Sequence, residues 1–355
     1  MRLRGLDAGN RFVHTAVRAI ADGVPLPQPP HSGNWTERAG QHGVLSVLAA
    51  HLETDQELRS VRLQRAERHL RTLADLHFVQ EALDEAGIDW LVFKGPVLSE
   101  VVYQHPGTRN YGDLDILVRP QDTNAAVDAL TIHGADLHDA DWETLRAGGR
   151  GEMNMLLPNG THLDLHWDVV NSVEVRRSFS VSTDKLLLAS RDIRLGRLTV
   201  RTYSEIDTVL HIALHSAISG GDRLRWLLDL HQSLVRCDAP IAELLERARS
   251  FGLELILRVM VNRVAAFVDA RQRAVVPRPS LARRSWLAAD ALAIRMRPPG
   301  SLWQGRLSAA VLVHSTRPSP GASWVALSRA VGYRIRVCGH SRDRAGNRAR
   351  PTTAL

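Results

Sequence analysis

Residues 94–118, KGPVLSEVVYQHPGTRNYGDLDILV, contain the features that decide the fold. A stretch typical of a short helix begins at Pro96 and ends at a Pro-Gly break, and a strand-length segment, Asp-Leu-Asp-Ile-Leu-Val, follows. Residues two apart in a strand share a face, so Asp113 and Asp115 project together, roughly 7 Å apart. Two carboxylates held this close repel each other. The segment therefore predicts a divalent cation beside a buried strand.

A second acidic strand is predicted in NMLLPNGTHLDLHWDVV, residues 154–170. Two alternating segments flank Pro-Asn-Gly, which is a strong turn signal, so the pattern predicts a β-hairpin. If its second strand lies beside the first acidic strand, Asp164 joins Asp113 and Asp115. Hard oxygen ligands of this kind favour Mg²⁺ or Mn²⁺. Three carboxylates on one face can hold two ions that stabilise an in-line phosphoryl or nucleotidyl transfer.

The same strand face carries further polar groups, which leave alternatives open. Asp168 competes with Asp164 for the third acidic position, because both share the face. His162 and His166 also share it and have a spacing that could hold zinc, although a polar strand face explains them equally well. We therefore treat His166 as a possible accessory hydrogen-bond donor at the site.

A phosphate-binding corner is predicted just before the first acidic strand. Gly95 lets the backbone come close to a ligand, and a helix beginning at Pro96 offers unpaired N–H donors. Lys94 adds a full positive charge at this corner. Arg109, in the loop before the aspartates, could bind a phosphate with two parallel hydrogen bonds.

Composition narrows the possible functions only moderately. The chain has 355 residues, a net charge of +7 and a sequence pI near 10.2, and the basic balance suits a phosphate-bearing partner or plain solubility. The two cysteines, Cys237 and Cys338, have no metal-type spacing, which fits a reducing cytoplasm. The N-terminus does not read as a signal peptide, and no apolar run reaches the ~20 residues of a membrane span. An RNA-binding pattern of aromatic and basic residues is absent from the sequence, so a nucleic-acid partner is disfavoured.

The periodicity predicts a helical, then α/β, then helical chain. Helices are predicted within residues 1–23 and 43–86 and after a Ser204 cap, and strands at 88–93 and 192–202. A helix after the first acidic strand would begin at Asp122 or Thr123. The predicted division is a helical segment at 1–86, an α/β core at 87–203, a helical domain at 204–335 and a basic, disordered tail at 336–355.

Taken in order, these motifs resemble the polymerase-β-like nucleotidyltransferase superfamily. The shared order is Lys-Gly, short helix, Pro-Gly-x-Arg, Asp-x-Asp, then a strand ending Asp-Leu-His-Trp. Within it, the chain is similar to a bacterial branch labelled nucleotidyltransferase family protein, which the continuation VLHIALHSAISGGDRLRWLLDLHQSL (209–234) also resembles. The similarity spans roughly residues 40–235. Two departures stand out: Lys-Gly-Pro replaces the usual Gly-Ser, and the interval from Gly95 to Asp113 is longer than usual.

The resemblance implies an α+β fold with a small mixed-sheet core and a Mg²⁺-dependent site. It implies Asp113 and Asp115 as metal ligands and Asp164 as a ligand or an activator of the acceptor hydroxyl. The expected reaction moves a nucleoside monophosphate from an NTP, with ATP as the expected donor, to a hydroxyl or phosphate of an unidentified small-molecule, peptide or protein acceptor. A catalytically degenerate protein that binds a nucleotide or a partner is the alternative.

Two groups in the helical part have competing interpretations. His211 and His215 lie four apart on a predicted helix, but the glutamate of a zinc-protease motif is missing, so core packing is favoured. Arg223, Arg225 and Asp229 form either a structural ion pair or a surface that faces the substrate.

Overall fold

A five-stranded mixed sheet lies at the centre of the chain. The computed structural model describes residues 6–31, 34–52, 56–103, 107–272, 276–277, 279–296 and 306–329. In sheet order the strands are β1 (Trp90–Phe93), β2 (Asp113–Val118), β5 (His162–His166), β4 (Glu152–Leu156) and β3 (Asp136–Leu137). The fold is α+β with helical flanks, and the predicted fold class is confirmed.

The pairing of β2 with β5 decides where the polar residues meet. These two strands run parallel, whereas the other neighbours in the sheet are antiparallel. The register sets Asp115 opposite Asp164. The hairpin of β4 and β5 has the predicted Pro-Asn-Gly turn, and the buried carboxylate of Asp75 fixes that turn by accepting bonds from the backbone N–H groups of Asn159 and Thr161.

The two faces of the sheet bury different apolar clusters. Leu114 and Ile116 lie in one cluster with Leu163, and all three are fully buried. Leu117, on the face that also carries Asp115, packs into a second cluster built mainly from helices. Period-2 alternation thus directs the acids of β2 toward the helical side of the molecule.

Among the described residues, four helices precede the sheet. They are α1 (Ala8–Asp22), α2 (Trp35–His42), α3 (Leu45–His51) and α4 (Gln56–Glu85). The predicted helical pattern at 43–86 therefore forms two helices in the described residues. The 30-residue α4 ends before Gly87, whose φ of +64° suits glycine.

Short helices connect the strands. They are α5 (Gly95–Val97), which continues as a π-helical turn (Leu98–Val102), α6 (Thr123–Ile132) after a 3₁₀ turn (Pro120–Asp122), α7 (Trp142–Ala147), α8 (Val173–Arg176) and α9 (Thr183–Leu188). The prediction of one strand at 192–202 is wrong. This stretch forms a two-stranded sheet, β6 (Arg191–Leu195) and β7 (Leu198–Thr202), because Gly196 adopts φ +57° in a tight turn.

In the part of the chain that the structure describes, the residues after the second sheet are mainly helical. The helices are α10 (Glu205–Ile218), α11 (Leu224–Val235), α12 (Ile241–Ser250), α13 (Glu254–Phe267), α14 (Leu281–Met296) and α15 (Arg306–Ser315), and a further helical stretch lies at 320–329. The Ser204 cap is confirmed, since its side chain accepts a hydrogen bond from the backbone N–H of Asp207. Among the described helices, none has the length and apolarity needed to cross a bilayer.

Helices from both ends of the chain share one core. Val13 and Leu48 from the N-terminal helices pack in the same cluster as Leu214 and Val259 from the C-terminal ones. The four-part division of the chain stays a prediction. Its basic tail at 336–355, including Cys338, lies outside the described residues.

Candidate active site

The predicted carboxylates meet on one face of the sheet. Parallel pairing sets Asp115 beside Asp164, and Asp113 lies one pleat earlier on β2, opposite His162. Asp115 is 1% exposed, whereas Asp113 and Asp164 are partly buried. We call these three carboxylates the acidic site.

Lys94 neutralises part of this charge. Its Nζ lies 2.6 Å from Asp115 Oδ1, and the side chains of Lys94 and Asp115 are 15% and 2% exposed. Burial alone would raise the pKa of Asp115, but the charge of Lys94 and a hydrogen bond from His166 hold it well below the usual aspartate value. Asp115 is therefore ionised near neutral pH. Its second oxygen, Oδ2, is buried without a hydrogen-bond partner among the described residues.

His166 holds Asp115 from the neighbouring strand. Its Nε2 lies 3.2 Å from Asp115 Oδ1, and its Nδ1 lies 3.2 Å from a carboxylate oxygen of Glu152 on β4. The ring also packs edge-on against Phe93. An imidazole between two carboxylates has a fixed orientation. The predicted accessory role of His166 thus corresponds to a direct contact with Asp115.

The negative charges of Asp113 and Asp164 are unfavourable in the folded protein. Burial, followed by the nearby charge of Asp115, raises the pKa of Asp113, and the same two causes raise the pKa of Asp164 to about 6. Asn154 Nδ2 donates a 2.5 Å hydrogen bond to Asp164 Oδ1 and fixes that carboxylate. Asp168, the competitor in sequence, pairs instead with Arg176 at 3.2 Å.

An open cavity of about 390 Å³ adjoins the acidic site. Asp113 and Asp164 line it together with the residues Gly112, His138, Asp139, Asn154 and His162. His162 is exposed there, and its ring lies 5.4 Å from that of His138. The cavity gives a ligand direct access to two of the three carboxylates.

The backbone immediately before α5 has an unusual conformation. Lys94 has φ +56°, and it is the one described non-glycine residue with positive φ. Gly95 follows in close contact with β2, since a Cβ there would lie 3.1 Å from the carbonyl oxygen of Asp113. Ser99, in the π-helical turn that continues α5, is fully buried, and its Oγ accepts the N–H of Gly107.

Arg109 lies beside the acidic site, in a buried ion pair. Its guanidinium makes a two-pronged contact with Asp229 of α11, with distances of 2.9 to 3.1 Å. Tyr103 donates a 2.7 Å hydrogen bond to the same carboxylate. Arg109 as a phosphate ligand stays a prediction, and only its Nη1 has no hydrogen bond with a described residue.

Arg225 supplies a cation that the sequence left unassigned. It lies in the first turn of α11, its stem packs on Gly43, and its Nε is buried without a partner among the described residues. Burial, followed by the nearby charge of Arg109, lowers its pKa, and the negative charges of Asp229 and, more weakly, Asp113 oppose this shift. Arg223, by contrast, lies over the ring of Trp226.

Two histidines of α10 form the wall behind Lys94. His211 packs edge-on against Phe93, and its ring stacks with that of His215 at 6.2 Å. Burial, followed by the charge of Lys94, lowers the pKa of His215 to about 3. Both histidines are therefore neutral packing groups, in agreement with the favoured interpretation.

The donor set fits a divalent cation. Ligand atoms of Asp115, Asp164 and His166 lie within 4.8 Å of one another, and Asp115 Oδ2 is already desolvated and unpaired. Asp113 lies outside this group, at the cavity side of Asp164. Carboxylate oxygens with one imidazole suit hard or borderline metals.

Known proteins similar to this chain indicate its family. The model of a family described as uncharacterised nucleotidyltransferase matches residues 34–269, more than half of the chain. A search of curated proteins gave no match. Among solved structures, the solution structure of the antibiotic-resistance factor ANT(2'')-Ia is similar over 56% of this chain and 95% of that one, at 12% identity and a TM-score of 0.34.

The mixed sheet with its three carboxylates and the family match define a transferase of the nucleotidyltransferase type. Specifically, the chain belongs to the family described as uncharacterised nucleotidyltransferase. The suspected resemblance is thereby confirmed, and nucleotidyl transfer is the role that the family supports.

Proposed function

We propose that the chain moves a nucleoside monophosphate from an NTP, with ATP as the first donor to test, to a hydroxyl or phosphate of an acceptor. Pyrophosphate leaves, and Mg²⁺ or Mn²⁺ is required. The observation that carries the proposal is the juxtaposition of Asp115 and Asp164 on parallel strands, with a buried oxygen of Asp115 left unpaired. A divalent cation bound there stabilises the charge that develops on phosphoryl oxygens.

Each carboxylate has a distinct task in this proposal. Asp115 and Asp164 hold the cation, Asp113 completes its set of ligands from the cavity side, and His166 keeps Asp115 in position. Asp164 faces the cavity, where an acceptor hydroxyl would enter. With a pKa near 6 it is mostly ionised at neutral pH and is matched to accept the hydroxyl proton. The new bond joins the acceptor oxygen to the α-phosphorus as the bond to pyrophosphate breaks.

The triphosphate is bound by cations around α5. Lys94 and the backbone at Gly95 lie at the start of that helix, next to Asp115. Arg109 can offer its Nη1 without leaving Asp229. Arg225 offers a guanidinium that no described carboxylate occupies. Arg109 and Arg225 therefore add two guanidinium groups near the same site, which suits a strongly anionic donor.

Label transfer from ATP tests this proposal. Purified protein, α-labelled ATP, Mg²⁺ and a lysate of the host should yield a labelled acceptor. Asp113→Asn should reduce transfer at least about 100-fold, because a ligand of the cation is lost. The matched control is Asp192→Asn, since Asp192 is exposed on β6 and should leave transfer unchanged.

Calorimetry distinguishes the binding-protein alternative. ATP binding that is tight, insensitive to Mg²⁺ and followed by no transfer would favour a protein that only binds nucleotide. Transfer that survives Asp113→Asn would show that the proposed mechanism is wrong. The acceptor itself, a small molecule, peptide or protein, follows from the size and chemistry of the labelled product.

A further inference from the structure

We propose that Lys94 is a built-in cation that takes the place of one metal ion, so that the site binds a single divalent ion. This inference rests on the proposed function, because it concerns how the same site holds the donor phosphates. A two-metal arrangement is what three carboxylates alone would suggest. The position of Lys94 argues against it.

The ammonium group occupies a ligand atom that a second metal would need. Lys94 Nζ lies 2.6 Å from Asp115 Oδ1, and His166 Nε2 lies 3.2 Å from the same oxygen. Two donors therefore satisfy Oδ1, and Oδ2 alone stays open. A metal ion placed on the Lys94 side would lie close to the ammonium, and the two positive charges would repel each other.

The identity of the residue matters as well. The chain has 45 lysines and arginines, of which Lys94 and Lys185 are the two lysines. Arginine would bring a wide planar fork, whereas an ammonium is a compact point charge with three N–H donors. Such a group can donate to Asp115 and to a phosphate oxygen simultaneously, which is the bridging contact that a second metal ion would make.

The backbone is shaped to place this charge. Lys94 adopts φ +56° and ψ −127°, a strained backbone conformation for a residue that carries a side chain. The Phe93 ring lies 5.0 Å from Nζ and supports the cation from one side. A surface lysine would need neither feature. The strained backbone of Lys94 is explained if it holds the ammonium group at one position beside the Asp115 carboxylate.

The local charges also balance better with one metal ion. Asp113, Asp164 and Glu152 surround the pair of Lys94 and Asp115, and these carboxylates act on one another's pKa. One divalent ion together with Lys94 supplies three positive charges to the three carboxylates of the acidic site. A second divalent ion would add two more to a pocket that already contains Lys94.

Counting bound Mn²⁺ tests the inference without any turnover. Equilibrium dialysis with Mn²⁺ and α,β-methylene-ATP should give one ion per wild-type protein. Lys94→Met frees Asp115 Oδ1, so the count should rise to two. The control is Lys185→Met, because Lys185 is exposed on α9 and its loss should leave the count at one.

A second variant at position 94 controls for misfolding of Lys94→Met. Lys94→Met leaves the buried Asp115 without its partner, whereas Lys94→Gln keeps a hydrogen-bond donor but removes the charge. Both variants should bind the second ion, and Mn²⁺ should raise their melting temperatures more than that of the wild type. Two ions on the wild type, or one ion on both variants, would overturn the inference.

The same dialysis separates this inference from the proposed function. If the nucleotide analogue does not bind, the proposed donor is wrong, and the Mn²⁺ count on the protein alone still decides the role of Lys94. If the counts are two in the wild type while label transfer works, the function stands and the single-ion inference fails.

Discussion

In the helices that follow residue 204, buried carboxylates have arginine partners, whereas in the acidic site Lys94 pairs with Asp115, and Asp113 and Asp164 form no salt bridge with a described residue. The helical pairs have contacts of 2.8 to 2.9 Å, and they are Arg263–Asp290, Arg258–Glu254, Arg247–Asp207 and Arg109–Asp229. In the acidic site, the pKa values of Asp113 and Asp164 are raised. Buried carboxylates that pair with an arginine have a structural role. Buried carboxylates without such a partner mark a candidate ligand site.

The sharpest test of this difference is Asp290→Ala. Asp290 is fully buried and bonds Arg263 at 2.8 Å, so its loss leaves a buried guanidinium without its carboxylate. We expect the free energy of unfolding to fall by about 3–5 kcal/mol, measured by chemical denaturation. The double variant Arg263→Met/Asp290→Leu should regain most of the loss. A change below about 1 kcal/mol in the free energy of unfolding would show that the Arg263–Asp290 pair does not have this structural role.

Acid should weaken the helical packing through His42. Burial, followed by the charge of His14, lowers the pKa of His42 to about 3, and its Nδ1 accepts the N–H of Leu224 at the start of α11. The unfolded chain therefore binds more protons than the folded one below pH 6.5. Stability is complete above that pH and falls as pH drops toward 3, by about 3 kcal/mol at pH 4.5 from this residue.

The variant His42→Asn isolates this contribution, because asparagine keeps an acceptor but does not titrate. Its free energy of unfolding should depend less steeply on pH between 6.5 and 4.5 than that of the wild type. Identical slopes for both proteins would mean that His42 is not held neutral. His215, also with a pKa near 3, should account for part of the remaining slope.

Arg225 distinguishes a ligand-facing cation from a paired one. It lies in the first turn of α11, where the helix dipole disfavours positive charge, and it has no described partner. We expect Arg225→Gln to weaken binding of ATP with Mg²⁺ about tenfold, or about 1.4 kcal/mol, in calorimetry. Stability should stay within about 0.5 kcal/mol of the wild type.

Arg109→Gln is the matched comparison for Arg225→Gln. Its partner Asp229 is buried, so this variant should lose stability before any effect on ATP is interpreted. If Arg225→Gln destabilises the protein as much as Arg109→Gln and leaves ATP binding unchanged, Arg225 is a structural residue.

The smallest expected effect is a gain in stability. Asp113→Asn removes a charge that burial and Asp115 make unfavourable, so the free energy of unfolding at pH 7 with EDTA should rise by up to about 1 kcal/mol. Asp192→Asn should change it little, because Asp192 is exposed. A loss above about 1 kcal/mol in Asp113→Asn would show that this carboxylate stabilises the fold.

The sequence predicts the acidic strands well because their signals are local. Alternation in 113–118 and a Pro-Asn-Gly turn specify two strands and the face that each aspartate occupies. Only the pairing of β2 with β5 was conditional, and the structure places them side by side. The hairpin at 191–202 was missed because its Gly-Arg turn is a weaker signal than Asn-Gly.

The partners of the cations could not be predicted from local pattern. Arg109 and Asp229 are 120 residues apart, and nothing in the loop around Arg109 indicates which carboxylate reaches it. Lys94 and Asp115 are closer in sequence, but their contact depends on one unusual backbone conformation. Side-chain pairing of this kind is decided by the packing of whole helices on the sheet.

The parallel pairing of β2 with β5 has a consequence for folding kinetics. The contact of Asp115 with His166 joins residues 51 positions apart, and α6 and β4 lie in the chain between them. Long-range parallel pairing closes late, because the loop entropy is lost before the contacts form. Divalent-ion affinity should therefore appear with the final refolding phase, which makes Mn²⁺ capture a reporter of the last step to the native state.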